Sequence, residues 1–193
     1  MTSRDVLLAA AAEEFARSGL KGTRIREIVQ RSGVNERMIY HYFGSKEGLF
    51  RAVMEDAFGG MGQAWREVLD EAVELEPYEG VRLAFTTLFD LVHSRPLLVP
   101  LALQEGIGGW GVRPPLVAEQ LPAQLRDLHE RGVAAGVFRA DVDFDVLYAT
   151  TVIALMATPA TAGRFPLLAE RGMDELRDQV VALLLDGLTG GDR

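Results

Sequence analysis

The chain has 193 residues, 48% of them hydrophobic and 25% charged, a globular composition with room for a sizeable core. It holds no cysteine, which excludes a disulfide framework and a thiolate metal site. The net charge of −8 excludes a uniformly basic surface, yet the charge is uneven: residues 1–50 carry eight Lys/Arg and six Asp/Glu, and residues 51–193 carry twelve and twenty-two.

Met1 to Asp5 leads into an amphipathic stretch rather than the bare apolar run of a signal peptide, so the expected compartment is the cytoplasm. Val6, Leu7, Leu8, Ala11, Ala12 and Phe15 recur at helical spacing, and Gly19 and Gly22 supply stop signals. Thr23 is placed to cap a short helix with Ile25, Ile28 and Val29 on its inner face. Gly33 ends that helix and Asn35 caps the next, Glu36 to Phe43. Val34 and Ile39 flank this cap as a hydrophobic staple. Gly44 stops it, and Ser45 caps a longer helix from Lys46 that joins the basic head to the acidic remainder. Gly59, Gly60 and Gly62 fall inside that long helix, as a hinge or break or as a tolerated weak point.

Beyond residue 60 the periodicity stays helical. Leu83, Ala84, Leu88, Leu91 and Val92 form one face, broken at Arg95-Pro96. Residues 97–105 read as a short helix, 106–114 as a loop, and Val117 to Val133 as a helix closing at Gly136. Asp143 or Asp145 starts the most apolar stretch, Val146 to Gly163. Its four Thr and Pro159 make it a buried helix rather than a membrane span. Met173 to Leu188 is a last amphipathic helix. The expected architecture is all-α: a helix-turn-helix head at 1–50 and a larger helical body at 51–193, for regulation and dimerisation.

Two helices joined at Ser32-Gly33-Val34 have helix-turn-helix spacing. On the second, Ile39 and Phe43 face inward, which leaves Glu36, Arg37, Tyr40 and His41 outside. Tyr, His and Arg all donate to phosphate oxygens, and Arg37 is also able to donate bidentately to guanine. The helix start at Lys46 is a further anion site.

The same residues carry a resemblance. "TRIREIVQRSGVNERMIYHYFGSKEGLFRAV", Thr23 to Val53, resembles the DNA-binding head of the TetR family of bacterial transcriptional regulators, as does "AAAAEEFARSG" before it. The match covers about the first 55 residues; beyond them only the helical plan, the length and "GVFRADVD" are similar. The resemblance implies a homodimeric, ligand-responsive regulator, most often a repressor, on double-stranded operator DNA. It implies roles for Thr23 at the backbone, for Arg26 at bases or phosphate, and for Tyr40, Tyr42 and Lys46 at phosphate. Glu36, Arg37 and Met38 take the variable base-reading positions, and Asn35 and His41 complete the set. Arg24 stands where a small hydroxyl residue is common and adds a phosphate contact. Met38 replaces a common Thr, which points to apolar readout of a thymine methyl.

A small, largely apolar effector is expected in the body. The candidate walls are Trp65, Phe85, Phe89, Trp110, Tyr148 and Met156, with His93, Gln104 or Thr151 as polar anchors. Ordinary core packing is the competing account of each. The expected dimer surface combines Thr151 and Leu155 with a stripe of Leu176, Val180, Leu183 and Leu184. No cofactor and no metal are expected: His93 and His129 lack ligand spacing. Gly106 to Gly111 fits G-x-G-x-x-G but follows a helical run rather than a strand. No catalytic constellation is legible, so an enzyme is not expected. The alternatives are a DNA-binding regulator whose body answers to a protein partner or to nothing, and an all-helical enzyme.

Overall fold

A computed structural model describes residues 1–109, 111, 121–161, 164, 165, 168 and 170–190. Among them the protein is all-α, with ten helices and no strand. They are α1 (Ser3–Gly22), α2 (Ile25–Ser32), α3 (Glu36–Phe43), α4 (Lys46–Ala57), α5 (Met61–Ala72), α6 (Pro77–His93), α7 (Leu98–Gly108), α8 (Ala123–Ala134), α9 (Phe144–Thr161) and α10 (Met173–Thr189). No described helix is long and apolar enough to cross a membrane.

The chain forms two compact units. The first takes Met1–Gly59 with α7, and the second takes Gly60–Ser94 with α8, α9 and α10. This cut differs from a division at residue 50. Leu49, Phe50, Val53 and Met54 of α4 share one core with Leu7, Ala11 and Phe15 of α1, Ile28 of α2 and Ile39 of α3. Phe15 and Phe50 meet edge to face at 5.0 Å. Burying each such ring contributes roughly 2–3 kcal/mol, so a cut inside α4 would open this core.

Two sequence expectations fail near the glycines. The helix from Lys46 does not continue into the body: α4 ends at Ala57, and Gly60 (φ 70) begins α5. The glycines are therefore a break. At Gly106 the expected loop is helix instead, since α7 runs on to Gly108.

α7 is the unexpected member of the first unit. Its Leu101 is fully buried in the N-terminal core. Gln104 lies over the end of α1, where its Nε2 donates to the Arg17 carbonyl at 3.5 Å. Gly19 permits that approach. Its φ is 65°, and a Cβ there would stand 2.7 Å from Gln104 Oε1.

In the second unit α6 is central. Val81, Ala84, Phe85, Leu88, Phe89 and Val92 are buried, and α5, α8, α9 and α10 pack around it. The stripe expected to pair with a second subunit splits here. Leu176 turns inward with Val181, Leu185 and Leu188, and on α9 Thr151 and Leu155 are buried too. These three leave the expected dimer surface because the body's own helices cover them. Val180 and Leu184 are half-buried, and Leu183 is 72% exposed. On α9 Val146 and Ile153 are exposed on the side opposite Thr151 and Leu155. An apolar residue set all around α9 explains why sequence periodicity could not separate its two faces.

Candidate functional site

The turn between α2 and α3 is built from short-range chemistry. Gly33 adopts φ 67 and its N–H reaches the Val29 carbonyl at 2.9 Å, the left-handed helix stop that glycine adopts at least cost. Ser32 Oγ accepts from Val34 N at 3.2 Å, and Asn35 Oδ1 caps α3 by accepting from Arg37 N at 2.9 Å. Val34 and Ile39 both pack on the N-terminal core, as a staple requires. Ser45 Oγ caps α4 by accepting from Gly48 N at 3.0 Å.

The cations of α1, α2 and α3 differ in their pairing. Arg17 and Arg31 are spent internally. Both pair with the Glu14 carboxylate, Arg31 through Nε at 2.7 Å, and Arg31 also pairs with Glu13. Glu14 is only 3% exposed. Burial pushes its pKa up, but the Arg31 hydrogen bond and the Arg17 and Arg31 charges outweigh this and hold it below the ordinary carboxylate value. The bridge ties α1 to α2. Arg24, Arg26 and Arg37, by contrast, are exposed and make no ion pair among the described residues. Lys46 is half-buried at the start of α4, likewise without an ion pair.

The α3 face is as the helical spacing predicts in most positions. Ile39 is fully buried, and Glu36, Arg37, Tyr40 and His41 are exposed. Tyr40 Oη donates to Glu36 Oε1 at 3.4 Å, and Tyr42 stands edge-on to His41 at 5.0 Å. Two expectations need correction. Met38 is half-buried against the N-terminal core, so its side chain is not a free reading group. Thr23 is 1% exposed, and its hydroxyl donates backwards to Gly19 O at 2.8 Å and Glu14 O at 3.0 Å. It neither caps α2 nor presents its side chain. Arg24 holds the cap position, where its N–H donates to Glu27 Oε2 at 3.1 Å.

The second unit contains a cavity of about 10 Å3 between α6, α8 and α9. Val81 and Phe85 line it from α6, Leu125 and His129 from α8, and Phe144, Leu147 and Tyr148 from α9. Of the expected pocket residues only Phe85 and Tyr148 stand there. Phe89 is in the α6 core, and His93 is exposed beside it, ring to ring at 6.4 Å. Trp65 and Met156 are half-buried away from the lining, and Gln104 belongs to the first unit. Thr151 is buried one turn along α9 from Leu147. Trp110 lies outside the described residues.

His129 is the residue that sequence reasoning missed. It is 7% exposed, stacked on Phe138 at 6.4 Å and tilted against Phe144 at 5.8 Å. Its Nε2 is buried without a hydrogen-bond partner among the described residues, as is Thr151 Oγ1. Desolvation lowers the imidazole pKa, reinforced by Arg126 and opposed by the Glu130 and Asp143 charges. Burial also raises the Tyr148 phenol. No group of His and carboxylates among the described residues is arranged to hold a metal ion.

Comparison with known proteins bears on both units. A sequence profile described as bacterial regulatory proteins, tetR family, matches residues 7–53, and one described as the tetracyclin repressor-like C-terminal domain matches residues 77–182. The chain is 34% identical over 146 residues to the HTH-type transcriptional repressor NicS of Pseudomonas putida, a span covering 72% of this chain and 68% of that one. It is 30% identical over 195 residues to the HTH-type transcriptional repressor KstR2 of Mycolicibacterium smegmatis, covering 96% and 90%. Its fold is similar to that of the ketosteroid transcriptional regulator KstR2 of Mycobacterium tuberculosis, with a TM-score of 0.73 at 22% identity, covering 97% and 95%.

Proposed function

The chain belongs to the TetR family of bacterial transcriptional regulators, and from that premise we propose that it is a repressor that grips a palindromic operator as a homodimer and releases it on binding a small apolar effector. The observation that carries the DNA reading is the division of cations in the first unit. Arg17 and Arg31 are paired with Glu14 and Glu13, while Arg24, Arg26, Arg37 and Lys46 have no ion pair among the described residues and accompany an exposed Tyr40-His41-Tyr42 run. Such groups position a duplex through its phosphates, and an exposed Arg on the second helix of the motif reads base edges. The first unit, with Met1–Gly59, forms the DNA-binding part and the second unit the regulatory part. A bacterial regulator of this kind works in the cytoplasm and turns over no substrate.

The dimer reading draws on the exposed apolar face of α9 and α10: Val146 and Ile153 on one helix, Leu183 on the other, with Val180 and Leu184 beside it. Exposed apolar side chains gathered on neighbouring helices mark an association surface. Two heads then reach half-sites about 34 Å apart in successive major grooves. The effector reading draws on the cavity between α6, α8 and α9. Its small size supports the competing account, in which the body answers to a protein partner or to nothing.

The test is a binding selection of the purified protein from a random duplex pool, followed by titration of the selected operator. A palindrome should emerge. Arg37→Ala should cost roughly 1–3 kcal/mol on it and relax preference at one position per half-site. Lys46→Ala should weaken all sequences equally and lower the salt slope by about one. Leu183→Glu should yield monomers with weakened operator binding and unchanged head residues. Recovery of no preferred sequence would overturn the proposal.

A further inference from the structure

Arg4, on the first turn of α1, is exposed, and its guanidinium lies over the Phe43 ring, 5.3 Å from the ring centre. Phe43 is the last residue of α3. It meets Tyr42 edge to face at 6.1 Å, and Tyr42 meets His41 in the same manner at 5.0 Å. Arg4 therefore extends the exposed Tyr40-His41-Tyr42 run by one cation supplied from another helix. We propose that Arg4 is a DNA phosphate contact beside the C-terminal end of α3, with Phe43 as the platform that aims it. The proposal rests on the reading of the first unit as the DNA-binding part and adds a contact residue to it.

Exposure alone does not single Arg4 out, since Lys21 and Arg51 are exposed as well. Its place against α3 does. Phe43 is half-buried and packs on the N-terminal core, so the platform is fixed. A guanidinium stacked on a ring keeps its N–H donors at its own edge, open to a partner in its plane. Holding the side chain there also reduces the rotamer freedom that binding removes. The neighbouring carboxylate is engaged elsewhere: Asp5 Oδ2 accepts from Thr2 N at 2.8 Å. Arg4 makes no ion pair among the described residues. Thr2 Oγ1 accepts from Asp5 N at 3.3 Å and closes the start of α1, so the arginine and not the helix end is the site. The position also decides between base and backbone. In a helix-turn-helix head the N-terminal residues of the second helix meet base edges, and Arg37 stands there. Eight residues make α3 about 12 Å long, close to the width of the major groove. With the first turn at the bases, a cation at the last turn reaches the rim of the groove, where phosphates stand. Such a contact positions the head and carries no sequence information.

The full-length protein and its Arg4→Met, Arg4→Lys and Phe43→Leu variants are titrated with the selected operator and with a random duplex across a salt series. Phosphate contacts on the operator are mapped by ethylation interference, and each variant is melted. Methionine covers the ring without a charge. Arg4→Met should weaken operator and random duplex by one common factor, roughly tenfold, and lower the salt slope by about 0.9. It should also erase interference at one phosphate per half-site and leave the preferred bases unchanged. Arg4→Lys should keep the slope, because the charge remains. Phe43→Leu should keep the slope and still weaken both duplexes, because the charge remains without its platform. Should that variant fail to fold, the Arg4 pair decides. An Arg4→Met protein that melts lower but keeps the slope and the interference pattern would make Arg4 a tie between α1 and α3, and the proposal would be wrong. A loss confined to the operator, with altered base preference, would make Arg4 a base reader and overturn it equally. A folded Phe43→Leu protein that binds as the wild type does would remove the platform. A slope that falls in Lys46→Ala but not in Arg4→Met removes this contact and keeps the DNA reading. A wild-type protein that binds neither duplex removes the DNA reading and this contact with it.

Discussion

In the first unit Glu14 and Thr23 sit out of water with every group engaged: two guanidiniums on the carboxylate, two carbonyls facing the hydroxyl. In the second unit His129 Nε2 and Thr151 Oγ1 are equally buried and meet no partner among the described residues. The same residue chemistry thus serves opposite ends. Satisfied buried polar groups are worth most where one geometry must be held, and the first unit must present α2 and α3 to a rigid duplex. Unsatisfied ones cost stability and persist where a site has use for them. The contrast predicts that removing a polar group should harm the first unit and leave the second unharmed or improved.

The largest effect is expected at Arg31. Arg31→Ala leaves the buried Glu14 carboxylate with Arg17 alone, and an undercompensated buried charge is among the costlier defects a fold can carry. The melting temperature of the first unit should fall by roughly 5 °C or more, followed by NMR signals of α1 and α2. Glu14→Gln should cost less, because Arg17 and Arg31 both reach solvent when released. The reverse ranking would mean that the bridge serves the arginines rather than the carboxylate.

A matched pair of isosteric changes sharpens the comparison. Thr23→Val removes a hydroxyl that two carbonyls accept from, and should lower stability by about 1–2 kcal/mol in denaturant titration. Thr151→Val removes a hydroxyl with no partner among the described residues and should raise stability by up to about 1 kcal/mol. Opposite signs for one chemical change would establish the contrast. Losses of equal size at both positions would show that Thr151 is satisfied after all, and the two units would no longer differ.

How much of this was legible in the sequence follows from the range of the interactions. Gly33, Asn35, Ser45 and Gly44 act within four residues of themselves, and all four stop or cap the helices that their identities announce. The outward face of α3 followed from Ile39 and Phe43, four residues apart. Thr23 misled because its type suits a cap on the helix that follows, whereas its hydroxyl is claimed by the helix that precedes it, at Gly19 O and Glu14 O, four and nine residues earlier. Gln104 and Leu101 belong with α1 through contacts some eighty residues distant, which no periodicity reveals. The α9 and α10 residues were recognised as needing cover, but the assignment of Leu155 and Leu176 to a second subunit required knowledge of what α6 already covers. His129 looked like any histidine, since only the fold surrounds it with Phe138, Phe144 and Tyr148.

The smallest effect separates the units by pH. Both key groups are held below their ordinary pKa values, His129 below 6.5 chiefly by desolvation, and Glu14 below 4.5 because its arginine partners outweigh its own desolvation. In each case the unfolded chain takes up its proton first as pH falls, so acidification favours unfolding across the interval between the unfolded and folded values. The stability is complete above the unfolded pKa and is lost as pH descends through the folded one. The windows differ. The second unit should begin to weaken just below pH 6.5, and the first only below pH 4.5. Hydrogen exchange resolved by residue should show α8 and α9 loosening at a pH where α1 and α2 remain protected. His129→Phe should flatten the upper window and leave the lower one, whereas Glu14→Gln should do the converse. A His129→Phe protein that keeps the upper slope would assign it to groups other than the imidazole, and the second unit's unpaired nitrogen would then carry no proton-linked cost.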